Sequence, residues 1–377
     1  MRTVITQPLN NGRLTPRRIL FVLMGSIGDV VRALPLLGRV RRAYPDAYIA
    51  WAVEPKSRPL LEGHPWLDQL IVYDRSRAPI AFPLFLRDVR AGKFDLVIDL
   101  QRHLKSGVAA LASGARERIG FARENTKELN HLFSTRQIAP QPRMKLKLLQ
   151  YQAFGDALSL PSGPIEFGLQ LPDAERERAE KLLDGAPRPL LGVILGSSWP
   201  SRIYFPIETA AVLRALQKRR DATRPLFPVL LGGPDEVELA NEVMRLANDV
   251  PMLNLAGKTR LRDLLGIFPQ CAAAFGPDSG PMHIAAAVGC PVVSLWGATA
   301  PERSAPWGFA HLALAGQIPC HPCYLRRCPI GRECMRRISP ASVVEAIETA
   351  LVTVEAGPGV SPAPASSAPS AAGVGSP

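Results

Sequence analysis

An aspartate stands where a short apolar run gives way to a helix-period segment: Met24-Gly25-Ser26-Ile27-Gly28-Asp29-Val30-Val31. Gly25 and Gly28 let backbone N–H groups approach a ligand closely, and the carboxylate lies at the helix start. The run lacks the full glycine fingerprint of a dinucleotide fold and the Gly-Lys-Ser/Thr of a P-loop. Two roles are open for Asp29. Spacing alone favours a helix cap that complements the dipole. The chemical alternative is a general base with direct access to a substrate hydroxyl.

Three more junctions of this kind lie in the second half. Gly276-Pro277-Asp278-Ser279-Gly280-Pro281-Met282-His283 opens a helix of small residues. Ser279 or Asp278 suits its cap and Pro281 its first turn, and the bare N–H groups form an anion site. For His283, in that first turn, a structural role and a ligand contact are both open. Leu195-Gly196-Ser197-Ser198-Trp199-Pro200-Ser201-Arg202 ends a strand in hydroxyls and a guanidinium, groups suited to a diphosphate. Leu231-Gly232-Gly233-Pro234-Asp235-Glu236 ends another in a glycine turn and an acidic helix start. An acid there binds ribose hydroxyls or satisfies the helix terminus. Together the three junctions point to a nucleotide more specifically than any one alone. The chain has no Asp-x-Asp pair of the kind that holds a metal on a nucleotide sugar. Helix N-termini and arginine would then neutralise the diphosphate in a metal-independent reaction.

Six cysteines in 377 residues are too few for a disulfide-stapled secreted scaffold. Cys271 and Cys290 sit in apolar stretches as small core residues. Cys320, Cys323, Cys328 and Cys334 cluster in a loop rich in arginine. Their spacing leaves a structural zinc, disulfides and free thiols all open.

Junctions like these need strands and helices in alternation. Strand candidates in the first half are Ile19–Met24, Tyr48–Val53, Gln69–Val72, Leu96–Leu100 and Glu117–Phe121. In the second half they are Leu190–Leu195, Pro225–Leu231, Met252–Leu255, Ala272–Phe275 and Pro291–Trp296. The alternation predicts an α/β chain of two doubly wound, Rossmann-like domains facing each other across a cleft, with ligands at the strands' carboxyl ends. The expected divisions are a flexible segment 1–16, a first domain 17–170, a second domain 171–355 and a disordered tail 356–377. The boundary is the Pro/Gly-rich stretch 160–172, and the tail holds only Ala, Gly, Pro, Ser and Val. Ile19–Met24 after two arginines reads as a buried strand rather than a signal peptide. The longest uncharged stretch, 284–301, is broken by Gly289, Pro291 and Gly297 and does not read as a membrane span.

The formal charge of +12 is lopsided. Residues 1–170 hold 25 Lys/Arg against 14 Asp/Glu, and residues 171–377 hold 20 against 19. The first half should therefore meet something anionic. Nucleic acid is not expected, because no nucleic-acid module is present and the basic residues are not interleaved with aromatics.

Asp99-Leu100-Gln101 with Leu104-Lys105-Ser106, Leu295-Trp296-Gly297 and Cys334-Met335 complete an ordered set with the junctions above. From Arg18 to Ala350 the chain resembles the bacterial lipopolysaccharide heptosyltransferases, glycosyltransferase family 9. The resemblance implies a GT-B fold, with the acceptor on the N-terminal domain and a nucleotide sugar on the C-terminal one. It implies inverting, metal-independent transfer from ADP-heptose to the phosphorylated lipid A–inner core, with no cofactor, at the inner face of the cytoplasmic membrane. By motif position Asp29 would be the general base. Ser197, Ser198 and Arg202 would hold the diphosphate, and Glu236 would reach the ribose or adenine. Asp278 would contact the sugar, and Ser279, Gly280 and His283 would line the diphosphate. Gly28, Lys105 and Arg118 would face the anionic acceptor. The family often has Lys-Arg-Trp where this chain reads Ser201-Arg202-Ile203, which leaves the donor sugar and the equivalence of Arg202 open. Another nucleotide sugar, a protein acceptor and a non-catalytic nucleotide binder are the rival readings.

Overall fold

The computed structural model describes residues 3–4, 15–78, 80–218 and 225–355. The expected tail 356–377 and most of the segment 1–16 lie outside these residues.

The first half is one parallel sheet of seven strands: β1 (Thr3–Val4), β2 (Arg18–Val22), β3 (Tyr48–Val53), β4 (Gln69–Val72), β5 (Leu96–Asp99), β6 (Glu117–Gly120) and β7 (Arg136–Gln137). Their order is β1-β7-β6-β5-β2-β3-β4. Five helices connect or cover them: α1 (Ile27–Ala43), α2 (Arg58–Leu61), α3 (Ala81–Ala91), α4 (Leu104–Ala112) and α5 (Lys147–Ala157). A parallel sheet covered on both faces buries every side chain of its central strands, and Ile19, Leu20, Phe21 and Val22 are indeed fully buried. Trp51 on β3 stacks on Phe21, with ring centroids 5.3 Å apart.

The second half repeats the scheme with six parallel strands: β8 (Leu190–Ile194), β9 (Phe227–Leu231), β10 (Leu253–Asn254), β11 (Cys271–Pro277), β12 (Val292–Trp296) and β13 (Ala313–Ala315). Their order is β10-β9-β8-β11-β12-β13. Its helices are α6 (Asp173–Leu182), α7 (Pro206–Gln217), α8 (Val237–Leu246), α9 (Asp263–Ile267), α10 (Gly280–Ala287), α11 (Pro301–Ser304), α12 (Glu333–Arg336) and α13 (Pro340–Glu355).

Each order has a switch point, where the winding reverses and a crevice opens for ligand. In the first sheet it lies between β2 and β5, in the second between β8 and β11. The loop carrying Asp29 follows β2, and the loops carrying Ser197 and Ser279 follow β8 and β11. The chemistry read from sequence therefore sits at both switch points.

The sheets match the expected strands to within a few residues, and β1, β7 and β13 are additions. At two or three residues each, they are too short to show a period of two. Thr3–Val4 pairs with Arg136–Gln137, so this part of the segment expected to be loose is sheet. The 160–172 stretch has no regular element before Pro172, but it is packed. Phe167 and Leu169 touch the cores of both halves, and His64 Nε2 lies 3.0 Å from Phe167 O.

Candidate active site

Three contacts hold the turn between β2 and α1. Gln101 Oε1 accepts from Met24 N at 2.9 Å, Leu23 O accepts from the Trp51 indole at 3.2 Å, and Gly25 O accepts from Ser57 Oγ at 3.3 Å. Gln101 is set in turn by the buried Asp99, which accepts from Gln101 N, Ser106 Oγ and Asn130 Nδ2. Burial raises the Asp99 pKa to about 7 against the pull of those donors. Asp99-Leu100-Gln101 thus braces the loop that presents Asp29.

Ser26 is the helix cap, accepting from Asp29 N. Asp29 is freed from that role. Its Oδ1 accepts from Arg32 Nη2 at 2.7 Å, Lys147 Nζ at 2.8 Å and Tyr151 OH at 3.4 Å. Its Oδ2 accepts from Ser26 Oγ at 3.1 Å, which leaves it the less engaged oxygen among the described residues. Burial alone would push the Asp29 pKa up; Lys147 and Arg32 outweigh it and hold the carboxyl well below the usual range. Burial, opposed by Asp29, brings Lys147 down to about 8.

The starts of α1 and α10 press together. A Cβ on Gly28 would lie 2.6 Å from His283 Cδ2, and one on Gly280 would lie 2.7 Å from Ile27 Cβ. Only glycine fits at either place. His283 is buried, and its Nε2 lies 2.6 Å from Arg32 Nη1. Burial and Arg32 hold its pKa well below the usual value, so the neutral ring accepts from the guanidinium. Its Nε2 is therefore occupied by a link between the two halves, not offered to a diphosphate.

Between the helix starts lies a cavity of about 600 Å³. Among the residues expected from sequence, Gly28, Asp29, Ser197, Ser198, Arg202, Glu236, Asp278, Ser279, Gly280 and His283 all line it. Asp278 is locked in place, with Oδ2 accepting from Thr299 Oγ1 at 2.7 Å and pairing with Arg202 at 3.0 Å. Arg202 also stacks on Trp199, its guanidinium carbon 4.0 Å from the ring centroid. Ser197 Oγ donates to Asp278 O, and Glu236 accepts from Gly233 N.

The lining is cationic: Arg32, Lys56, Lys147, Arg202, Arg260 and Arg303 against Asp29, Glu236 and Asp278. Nine buried side-chain polar atoms among the described residues lack a hydrogen-bond partner. Five belong to this lining: Arg32 Nε, Arg202 Nε, Ser279 Oγ, Arg303 Nε and Tyr324 OH. All five can donate. Buried donors without acceptors are costly unless a ligand supplies the acceptors, and an anion does so best. Ser279 also stands at the start of α10 without capping it by its side chain, which leaves those N–H groups open.

The sequence profile of glycosyltransferase family 9 (heptosyltransferase) matches residues 84–333. The chain belongs to that family. This transferase is 27% identical over 369 residues to lipopolysaccharide heptosyltransferase 1 of Pseudomonas aeruginosa, covering 90% of this chain and 99% of that one. It is 25% identical over 294 residues to the lipopolysaccharide core heptosyltransferase OpsX of Haemophilus influenzae, covering 78% and 82%. The crystal structure of a family 9 glycosyltransferase from Veillonella parvula superposes with a TM-score of 0.76 at 22% identity, over 89% of this chain and 98% of that one. Escherichia coli ADP-heptose heptosyltransferase II gives 0.69 at 21%, over 90% and 99%. The fold is GT-B.

Two site residues expected of the transferase fall elsewhere. Arg118 braces its own loop, donating to Phe133 O and Ala115 O, and does not line the cavity. Lys105 lies outside the cavity too, its Nζ 5.6 Å from the Tyr73 ring centroid. The four clustered cysteines are free thiols, and no group of three or more His, Cys, Asp or Glu among the described residues is gathered to hold a metal. Cys334 is buried against Gly297 and Gly316, while Cys320 is exposed.

The cavity also contains groups that the sequence reading missed, chiefly Lys147, Arg32 and Arg303. Arg32 was within reach of that reading, one helical turn from Asp29. No helix among the described residues is long and apolar enough to cross a membrane.

Proposed function

We propose that this transferase moves a heptose from ADP-heptose to the phosphorylated lipid A–inner core of lipopolysaccharide, at the inner face of the cytoplasmic membrane, with inversion and without a metal. One observation carries the reading: a carboxylate at the start of α1 shares its cavity with five unpartnered buried donors. The curated relatives named as lipopolysaccharide heptosyltransferases supply the sugar and acceptor, and the E. coli heptosyltransferase solved with ADP supplies the nucleotide.

The step is a direct displacement. The acceptor oxygen forms a bond to the anomeric carbon as that carbon's bond to the diphosphate oxygen breaks. The acceptor proton passes to Asp29 Oδ2, and ADP leaves with the electron pair. Arg202, Arg303 and the open start of α10 receive the growing negative charge. Preorganised donors of this kind are worth about 10²–10³ in rate each, and a positioned base about 10²–10⁴. Glu236 and the glycine turns at 196 and 232–233 shape the nucleoside end. A base held as low as Asp29 stays ionised at every physiological pH and takes the proton late, as the hydroxyl becomes acidic in the transition state.

Purified protein, a panel of nucleotide sugars and a deacylated lipopolysaccharide acceptor test this by mass spectrometry. A product heavier by one heptosyl group, formed from ADP-heptose, is expected. A different sugar in the product, or nucleotide binding with no turnover, would replace the reading.

A further inference from the structure

We propose that the carboxyl rim of the first sheet is a docking surface for an anionic lipid bilayer. This deepens the function above, and rests on it for placing a membrane-borne acceptor beside Asp29.

In a parallel sheet every strand's carboxyl end lies on one edge. Segments 73–78 with 80, 100–105, 121–130 and 139–146 leave β4, β5, β6 and β7 at the edge that carries Asp29. They hold eight Lys/Arg against three Asp/Glu. Exposed large apolar side chains stand among them: Ile80 at 75%, Leu104 at 43%, Leu129 at 62% and Met144 at 43%, with Leu84 of α3 at 47% one turn beyond Ile80. Arg75, Arg77, Arg123, Lys127 and Arg143 are exposed around them. The opposite edge is the internal control. Segments 44–47, 62–68, 92–95 and 113–116 hold two Lys/Arg and four Asp/Glu, and beside them, among the described residues, only Leu111 of α4, at 50%, is an exposed large apolar side chain.

The rim is continuous. Lys105 lies over Tyr73, which packs on Phe82 of α3. Glu128 accepts from Leu104 N, and Lys127 N donates to Arg102 O. Asn125 and Gln141 exchange two hydrogen bonds. Segment 139–146 then runs into Lys147, which holds Asp29. Single exposed apolar residues are ordinary; a cluster of them among cations on one edge, leading to the catalytic carboxylate, fits insertion between anionic headgroups. The same arrangement puts Lys105 to use at the membrane rather than in the cleft.

Co-sedimentation of the full chain with phosphatidylglycerol and with phosphatidylcholine vesicles tests this. Binding to the anionic vesicles, weakened by salt, is expected. Arg75→Gln with Arg77→Gln should weaken it about thirtyfold, and Ile80→Ser with Leu129→Ser at least about tenfold. Ile207→Ser, at an exposed position on α7 of the other half, is the control and should change nothing. Transfer to a water-soluble deacylated acceptor should survive in all of these variants, which shows that they fold. Wild-type binding to both vesicle types alike, or rim variants that bind like wild type, would overturn the proposal. So would rim variants that lose a dimer by sedimentation velocity while binding vesicles normally. Vesicle binding without heptose transfer would sink the proposed activity and leave the rim. Heptose transfer without vesicle binding would do the reverse.

Discussion

Asp29 and Ser279 open helices that meet at one cavity, and their surroundings differ in kind. Asp29 is crowded by side-chain charge, with Arg32, Lys147 and Tyr151 all on one oxygen. Ser279 has no such company: its hydroxyl is unpartnered, and α10 begins on glycine, proline and bare N–H groups. The first half builds its end of the site from titratable groups, which suits moving a proton. The second half adds Arg260 and Arg303 to backbone N–H groups and hydroxyls around a fixed Asp278–Arg202 pair, which suits holding a diphosphate.

Breaking the first end should have the largest effect. Asp29→Asn keeps the shape and removes the base, so kcat should fall about 10³-fold in single-turnover assays while ADP affinity by calorimetry is unchanged. Equal loss of ADP affinity would erase the division of labour. Breaking the second end should act on the donor. Arg202→Gln is expected to raise the donor KM by about 10–100-fold with a smaller change in acceptor KM, since a charged hydrogen bond contributes about 1.5–3 kcal/mol. It also leaves Asp278 without its cation, so a matched thermal melt separates lost contacts from lost fold.

The contact between the ends is tested by Gly28→Ala. The added methyl meets His283, which Arg32 holds in place, and destabilisation of about 1–3 kcal/mol should appear as a lower Tm. The smallest effect sharpens the role of the cations. In the wild type kcat should rise as pH passes about 8, because Lys147 loses its proton there and relaxes its hold on Asp29. Lys147→Met should lack that rise, and its Asp29 should titrate closer to the ordinary carboxylate value. A pH profile identical to wild type would remove Lys147 from the account.

Much of this division was legible in the sequence. Glycines at strand ends located four loops of the cavity, because a tight turn and a close backbone approach both demand them. The cap was assigned to Asp29 for a local reason: Ser26 and Asp29 both suit a helix start, and only the hydrogen bond from Asp29 N to Ser26 Oγ decides for the serine. Lys147 was invisible, since it reaches Asp29 across 118 residues of chain. Arg118 misled in the opposite sense. Its residue type suits an anion, but sequence does not reveal that Phe133 O and Ala115 O already use its guanidinium. The packing of the cysteine cluster was illegible for the same reason, because burial of Cys334 depends on Gly297 and Gly316 approaching it.

The central claim is that a base on α1 and a diphosphate held at α10 act on opposite sides of one anomeric carbon. Proton NMR of the purified product, compared with the donor, reads that carbon directly. The account predicts a single product whose new glycosidic bond has the anomeric configuration opposite to that of the ADP-sugar. A product that retains the donor's configuration would contradict it.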